Sequence, residues 1–84
     1  MLKITGKILQ IWEVKQITEK FSNQDFLIET EGQYPKKVLM QANEKIRPYL
    51  VKLSIGDVKT FHFDIESRES NGKYYTNIKC FKIV

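Results

Sequence analysis

Apolar and polar residues alternate along much of this 84-residue chain, and the alternation predicts a protein built mainly from strands. At the start of the chain Leu2, Ile4 and Ile8 share one parity. The pattern changes phase at Leu9, shortly after Gly6. A phase change beside a glycine indicates a bent or bulged strand, because glycine tolerates the backbone angles of a bulge. We therefore expect one long first strand that serves both halves of a small barrel.

The middle of the chain predicts two more strands and a short helix. Polar residues 15–24 interrupt the pattern and predict a loop or a ragged hairpin tip, after which alternation returns in residues 25–31 and 36–42. Asn43 is a suitable N-cap for the helix that follows. Pro48 limits that helix to about one turn, because proline inside a helix removes a backbone hydrogen bond.

The last two strands are joined by Asn71 and Gly72, a dipeptide that predicts a two-residue type I′ turn. With this turn Ser70 pairs with Lys73, and the register of the whole hairpin follows. One face of the hairpin is then apolar and the other carries a favourable charge pair, as a correct register requires. The apolar face pairs Phe63 with Cys80 and Ile65 with Ile78, and the polar face pairs His62 with Phe81, Asp64 with Lys79, Glu66 with Asn77, and Arg68 with Tyr75.

The connection between the third and fourth strands is long and apolar. Ile46, Leu50 and Leu53 are spaced four and three apart, and we expect them to close one end of a barrel. We predict an all-β fold, a five-stranded Greek-key OB-fold barrel with one short helix between strands 3 and 4. Residues 1–84 are expected to form a single domain. An SH3-like barrel and an open α+β sheet are the alternatives, which the apolar connection disfavours.

The composition of the chain argues against several classes of protein. With one cysteine, Cys80, and one histidine, His62, the chain has no internal disulfide and lacks the usual ligand set of a zinc site. No apolar run is long enough to cross a bilayer, and the first residues alternate instead of forming the apolar region of a secretory signal. We therefore expect a cytoplasmic protein with no metal, no cofactor and no membrane partner.

The net charge is compatible with a polyanionic ligand. Fourteen basic and ten acidic residues give a formal charge of +4. Twelve of the basic residues are lysine and ten residues are isoleucine, a bias that an AT-rich genome produces without selection for binding. Charge is therefore only mild support for nucleic-acid binding.

Three segments resemble a known family: "ITGKI" at the start, "FLIETEGQYPKKV" in the middle and "IGDVKTFHFDIESRESNGKYYTNIKCFKI" at the end. They are similar to small bacterial and phage proteins grouped as a domain of unknown function, with an OB-fold related to single-stranded DNA-binding proteins. The resemblance implies single-stranded DNA as the ligand, with RNA as the alternative. It also implies a homodimer, by similarity to replication-associated relatives.

The predicted site centres on the final hairpin, because OB-folds bind with strands 2 and 3 and with the loops between strands 1 and 2 and strands 4 and 5. Arg68 and Tyr75 face each other and could hold a base between them, while Lys73 reaches the phosphate backbone. Tyr74 points to the other face and is expected either to cover the barrel mouth or to lie in the flexible arm of the hairpin. The alternative is a simple cross-strand pair worth about 0.5 kcal/mol.

Six further residues complete the predicted nucleic-acid-binding set. Trp12 is either a second stacking platform or a core residue, and Phe21 is either a base platform or a lid on the barrel. The lysines of the set either contact phosphates or only keep the protein soluble. These lysines are Lys15 and Lys20 in the first loop and Lys36 and Lys37 at the start of the third strand.

The sequence thus predicts a protein that binds single-stranded nucleic acid with low sequence specificity, and not an enzyme. His62 has no obvious carboxylate to orient it, and Cys80 is expected to point inward against Phe63. The main alternative is a protein-interaction module of a replication, mobile-element or phage complex. Oligosaccharide binding would use the same face.

Overall fold

Five strands and one short helix make up the fold in a computed structural model that describes residues 2–16 and 22–84. The strands close into a barrel in the order first, second, third, fifth, fourth. All neighbouring strands are antiparallel except the third and fifth, which are parallel. This is the predicted Greek-key OB-fold barrel. The elements are β1 (Leu2–Gln16), β2 (Ser22–Thr30), β3 (Lys37–Asn43), α1 (Arg47–Leu50), β4 (Val58–Ser70) and β5 (Lys73–Ile83).

The first strand belongs to two ladders, as its change of phase predicts. β1 pairs with β4 at its start and with β2 over the rest of its length. Gly6 lies where the ladders overlap and has Thr30 on one side and Lys59 on the other. A Cβ at this position would lie 2.9 Å from the carbonyl oxygen of Glu29, so the close approach of β2 requires glycine. The register shift between β1 and β2 follows just after Ile8.

The barrel interior is filled by the inward-facing apolar positions of every strand. Phe26 and Phe61 contact each other in the centre, with ring centroids 5.5 Å apart. Leu53 packs against this core, which confirms the predicted closure of one barrel end by the segment after β3. In the part of the chain that the structure describes, no helix is long and apolar enough to span a membrane. The buried set is Ile8, Phe26, Ile28, Met40, Ala42, Ile46, Leu50, Phe61 and Cys80.

The helix starts later than predicted. Asn43 is the last residue of β3, and its Oδ1 accepts hydrogen bonds from the backbone N–H groups of Lys45 (3.0 Å) and Ile46 (3.2 Å). It therefore caps the turn before the helix, and its predicted role as helix N-cap is wrong. Pro48 lies in the first turn of α1, where the missing N–H has no helical partner to lose.

Of the two alternatives for residues 15–24, a loop is wrong at both flanks, which continue β1 and begin β2, whereas the ragged hairpin tip agrees with the irregular antiparallel pairing of these strands as far as Gln16 and Ser22. Two polar residues take inward positions there and conceal the alternation. The side-chain Nε2 of Gln24 donates to the carbonyl oxygen of Trp12 at 2.9 Å, and Arg47 donates to the hydroxyl of Ser22. These bonds satisfy Gln24 Nε2 and the Ser22 hydroxyl, which allows a strand without an apolar residue at those positions. Within the described part of the chain, Gln24 Oε1 and Arg47 Nε are buried without a hydrogen-bond partner.

The final hairpin has the predicted turn and, for most of its length, the predicted register. Asn71 and Gly72 have φ values of 52° and 79°, both positive as a type I′ turn requires. Ser70 pairs with Lys73, and the pairing continues without a shift as far as Phe63 and Cys80.

Beyond that point a bulge changes the register. His62 pairs with Lys82, and the predicted pairing with Phe81 is wrong, because Phe81 is the extra residue of the bulge. The His62 and Phe81 rings still contact edge to face, with centroids 6.3 Å apart. The segment is too short for a bulge at the barrel closure to be recognised from its alternation of apolar and polar residues.

Candidate nucleic-acid interface

The final hairpin is exposed on both faces over residues 64–76, which we call the arm. Arg68 and Tyr75 are direct cross-strand partners within it, as predicted. Tyr75 is 56% exposed, and Lys73 lies two residues away on the same face. Tyr74 is 70% exposed on the opposite face, opposite Glu69. The arm therefore presents a ring and two cations together on one surface.

A groove of about 510 Å³ continues this surface onto the barrel. We call it the amide groove, because four of its seven lining residues carry side-chain amides. Amides both donate and accept hydrogen bonds, and they carry no charge. The volume lies within the range of roughly 300–1,000 Å³ that ligand pockets occupy. The lining residues are Asn23, Gln41, Asn43, Arg68, Asn77, Lys79 and Cys80.

Four strands, β2 to β5, supply the amide groove, which opens where β3 and β5 meet over only a short ladder. Their parallel pairing is confined to Gln41 with Lys79 and Ala42 with Cys80. Ala42 and Cys80 point into the core, so Gln41 and Lys79 point outward. On β2, Asn23 pairs with Asn43 and lies on the same outer face.

A second opening lies where β3 and β5 diverge, and we call it the edge cleft. Its volume is about 340 Å³. Gln41 and Asn77 line both the edge cleft and the amide groove, so the two openings adjoin at this pair. Lys37, one of the predicted phosphate contacts, lies at the edge cleft. The cleft is lined by Lys37, Val38, Leu39, Gln41, Thr76, Asn77 and Ile78.

The charge arrangement differs from the predicted one at Lys79. Its cross-strand partner is Asp64, but its Nζ forms an ion pair with Glu66 Oε2 at 3.1 Å. The predicted pair with Asp64 is therefore replaced by a diagonal one, which a long lysine side chain reaches readily. Both side chains are about half exposed, so the pair contributes at most about 1 kcal/mol to stability.

Positive charge dominates the lining of both openings. Among the described residues that line them, Arg68, Lys79 and Lys37 are cationic and none is acidic. Two carboxylates lie next to the lining on the same outer face: Glu66 is the cross-strand partner of Asn77 and contacts Lys79, and Asp64 is the cross-strand partner of Lys79. A phosphate would therefore meet guanidinium and ammonium groups there, and would compete with one carboxylate for Lys79.

The remaining predicted residues lie elsewhere. Lys36 is in the loop before β3, where its backbone N–H donates to Thr30 Oγ1 at 2.9 Å. Trp12 is 39% exposed on β1, and Lys15 is exposed near the end of the same strand. Neither of these β1 residues lines the amide groove or the edge cleft. Two predicted residues, Lys20 and Phe21, lie outside the residues that the structure describes.

The single thiol lies beneath the groove and is unsuited to nucleophilic chemistry. Cys80 is 1% exposed, and burial raises its pKa from 9.0 to about 11, an increase partly offset by hydrogen bonding with the backbone of Lys82. The thiol is thus protonated at neutral pH. Within the described ranges, no group of three or more His, Cys, Asp or Glu residues is arranged to hold a metal ion.

Besides the buried Cys80, five groove residues were not predicted as binding residues: Asn23, Gln41, Asn43, Asn77 and Lys79. The hairpin register already placed Asn77 and Lys79 on the face of Arg68, so that signal was present in the sequence. Gln41 needed the parallel contact between β3 and β5, which joins segments far apart in the chain and leaves no local pattern.

The fold and the groove define this protein as a small OB-fold domain with a polar, cation-flanked face on strands 2 to 5. Residues 3–84 match the domain of unknown function DUF3127, and the chain belongs to that family. No curated protein is significantly similar to it in sequence.

Solved structures share the fold at low sequence identity. One is the N-terminal domain of PriB from Thermoanaerobacter tencongensis, whose structure is dimeric. It aligns with a TM-score of 0.76 and 13% identity over 99% of this chain and 91% of that one. Another is the SSB domain of a Synechococcus sp. protein, with a TM-score of 0.74 and 7% identity over 98% of this chain and 90% of that one. At such identities the likeness establishes the OB-fold.

Proposed function

We propose that this protein binds single-stranded nucleic acid, DNA in preference to RNA, with low sequence specificity and without catalysing a reaction. The observation that carries the proposal is the amide groove, which adjoins the ring of Tyr75 and has cations but no carboxylates in its lining. Its place on the outer face of β3 and β5 is close to the face that OB-folds use for oligonucleotides. The likeness to an SSB domain supports the same ligand class.

Each chemical part of a single strand has a matching partner on this surface. A base can stack on Tyr75, since every base has a π face and aromatic stacking is tolerant of sequence. Arg68 and Lys79 can neutralise phosphates, and Lys73 extends the positive charge along the arm. The amides of the groove can form hydrogen bonds with base edges. Low sequence specificity follows, because none of these contacts requires one particular base.

A homodimer is part of the proposal. The accessible surface of the chain is 6266 Å², whereas a compact monomer of 9.9 kDa has about 5,200 Å². The excess of about 1,000 Å² is close to the roughly 800 Å² that each partner contributes to a standard interface. The dimeric structure of the similar PriB domain is a further reason to expect pairing. A single domain over residues 1–84 and a cytoplasmic location stay predictions of the sequence.

The proposal is tested by the anisotropy of a labelled oligo-dT about ten nucleotides long, at about 50 and about 200 mM salt. With about four phosphates neutralised, the logarithm of affinity should fall against the logarithm of salt with a slope near −3. Tyr75→Ala should weaken binding about tenfold, because it removes one stacking contact worth roughly 1–3 kcal/mol.

Tyr49→Ala is the matched control. Tyr49 is 59% exposed, close to the 56% of Tyr75, but it lies on α1 and lines neither opening. Its loss should leave the affinity unchanged. Equal losses in the two variants, or no binding by the wild type at low salt, would contradict the proposal.

A protein-interaction module is the second candidate, favoured by the opposite face of the arm. Ile65 is 57% exposed there and Tyr74 is 70% exposed, an unusual exposure for two large apolar side chains on one hairpin. An apolar protein contact would depend only weakly on salt, so the slope in the oligo-dT experiment separates the two candidates.

A further inference from the structure

A hydrogen-bonded pair of amides lies where the two openings adjoin. Gln41 Nε2 donates to Asn77 Oδ1 across the seam between β3 and β5, at 3.4 Å. Both side chains are partly buried, and both line the amide groove as well as the edge cleft. The pair is thus at the centre of the polar surface and not at its rim.

The mutual bond leaves one amide NH₂ group and one amide oxygen entirely unbonded and available to a ligand. Gln41 retains its Oε1 as an acceptor, and Asn77 retains its Nδ2 as a donor; neither atom bonds to another residue in the described part of the chain. If both amides turn over together, Asn77 donates to Gln41 and the order of the free donor and acceptor is reversed. The bond is long and therefore weak, which makes this exchange easy.

We propose that the Gln41–Asn77 pair recognises the Watson–Crick edge of an unpaired nucleobase. The inference rests on the proposed function and adds which part of the ligand enters the groove. Every nucleobase has a donor and an acceptor side by side on that edge: acceptor then donor in thymine and guanine, donor then acceptor in adenine and cytosine. A pair of amides that can reverse its order matches both arrangements.

Two consequences follow from this contact. The groove accepts all four bases, because reversal of the amides is inexpensive. It excludes base-paired strands, because in a duplex the same edges are already bonded to the opposite strand. Selectivity for single strands then has a chemical cause in this chain, in addition to any effect of charge or stacking.

The test uses competition for a labelled oligo-dT of about ten nucleotides. One unlabelled competitor is the same oligo-dT, and the other carries a methyl group on N3 of every thymine. The methylated strand keeps its charge, its sugar and its ring faces, but it lacks the N3–H donor. Loss of one hydrogen bond at a partly buried site is worth about 1 kcal/mol, so the wild type should bind the methylated strand about fivefold more weakly.

Gln41→Met removes the amide while it keeps the length of the side chain, and this variant should bind both competitors with similar affinity. Gln33→Met is the control, since Gln33 is exposed in the loop between β2 and β3 and lines neither opening. It should retain the fivefold preference. If Gln41→Met does not fold, as judged by its thermal unfolding, Asn77→Leu removes the other half of the pair at nearly constant shape.

The outcomes separate the inference from the proposed function. If neither strand binds the wild type, the proposed function fails and the inference fails with it. If both strands bind the wild type equally, single-strand binding stands and recognition of the base edge by this pair is refuted. A fivefold preference that persists in both Gln41→Met and Asn77→Leu would also refute the assignment, because another part of the protein would then contact the edge.

Discussion

At the scale of single residues, burial separates side chains that stabilise the barrel from those that are available to a ligand. Phe26 and Phe61 are fully buried, whereas the tyrosines of the arm are more than half exposed. The alternation placed Phe26 in a half-buried strand and Tyr75 on the outer face of the hairpin, because it depends on local strand geometry, but it did not single out Phe61. It did not predict the partner of Lys79, since a diagonal contact depends on how a flexible side chain bends over the sheet.

The ion pair between Lys79 and Glu66 leads to a prediction at this scale. Glu66→Gln removes a carboxylate that a phosphate must displace, so it should raise the affinity for oligo-dT about two- to threefold and steepen the salt dependence. The measurement is anisotropy at two salt concentrations.

Glu69→Gln makes the same charge change on the same strand, but Glu69 lies on the opposite face of the arm, opposite Tyr74. If affinity rises only through net charge, both variants should show the same gain. A larger gain for Glu66→Gln would identify release of Lys79 as the cause.

At the scale of the elements, local signals were sufficient for the hairpin and insufficient for the seam between β3 and β5. Asn71 and Gly72 determine the turn, and the turn determines which residues of β4 and β5 face each other. The amide groove needs Gln41 beside β5, a parallel contact between segments distant in the chain. That contact is produced only when the barrel closes, so no short stretch of the sequence encodes it.

The turn of the arm can be tested directly. Gly72 has a φ of 79°, and Gly72→Ala should introduce strain of about 1 kcal/mol or slightly more. Because the arm is exposed and contributes little to the core, the strain should be relieved by local opening and not by unfolding of the barrel. We expect faster amide exchange in the arm, weaker binding of oligo-dT and nearly unchanged thermal unfolding.

Gly32→Ala is the matched control for this change. Gly32 also has a positive φ, 122°, and open space around its Cα, but it lies in the loop between β2 and β3. It should not alter exchange in the arm or binding. Normal binding by Gly72→Ala, despite faster exchange in the arm, would mean that the arm takes no part in holding the strand.

At the scale of the whole molecule, the area of exposed surface is the feature that could not be predicted from the sequence. The radius of gyration is 13.1 Å, whereas a compact chain of this length has about 12 Å. The exposed arm accounts for part of this difference. Composition and length predicted the size of the domain but not how much of its surface would be left uncovered.

The accessible surface is larger than that of a compact monomer of the same mass, and we therefore predict self-association that can be measured. Sedimentation velocity over a range of protein concentrations should show a species of twice the chain mass. If the apolar face of the arm forms the interface, Ile65→Lys should shift the protein towards the monomer, because an interface cannot bury an unpaired charge without a large cost.

Thr5→Lys, on an exposed position of β1, is the control for the added charge. A monomer at every concentration would refute pairing. A dimer that both variants leave intact would place the interface elsewhere.

Because β1 pairs with both β2 and β4, its contacts cannot all form at the same stage of folding. During synthesis β1 is released before the other four strands, yet six of its fourteen pairings are with β4, which is released after β2 and β3. The hairpin of β2 and β3 can form from neighbouring residues, but Gly6 needs both Thr30 on β2 and the more distant Lys59 on β4. Closing so large a loop is slow, and we therefore expect the seam between β1 and β4 to be among the last contacts to form and to limit the folding rate.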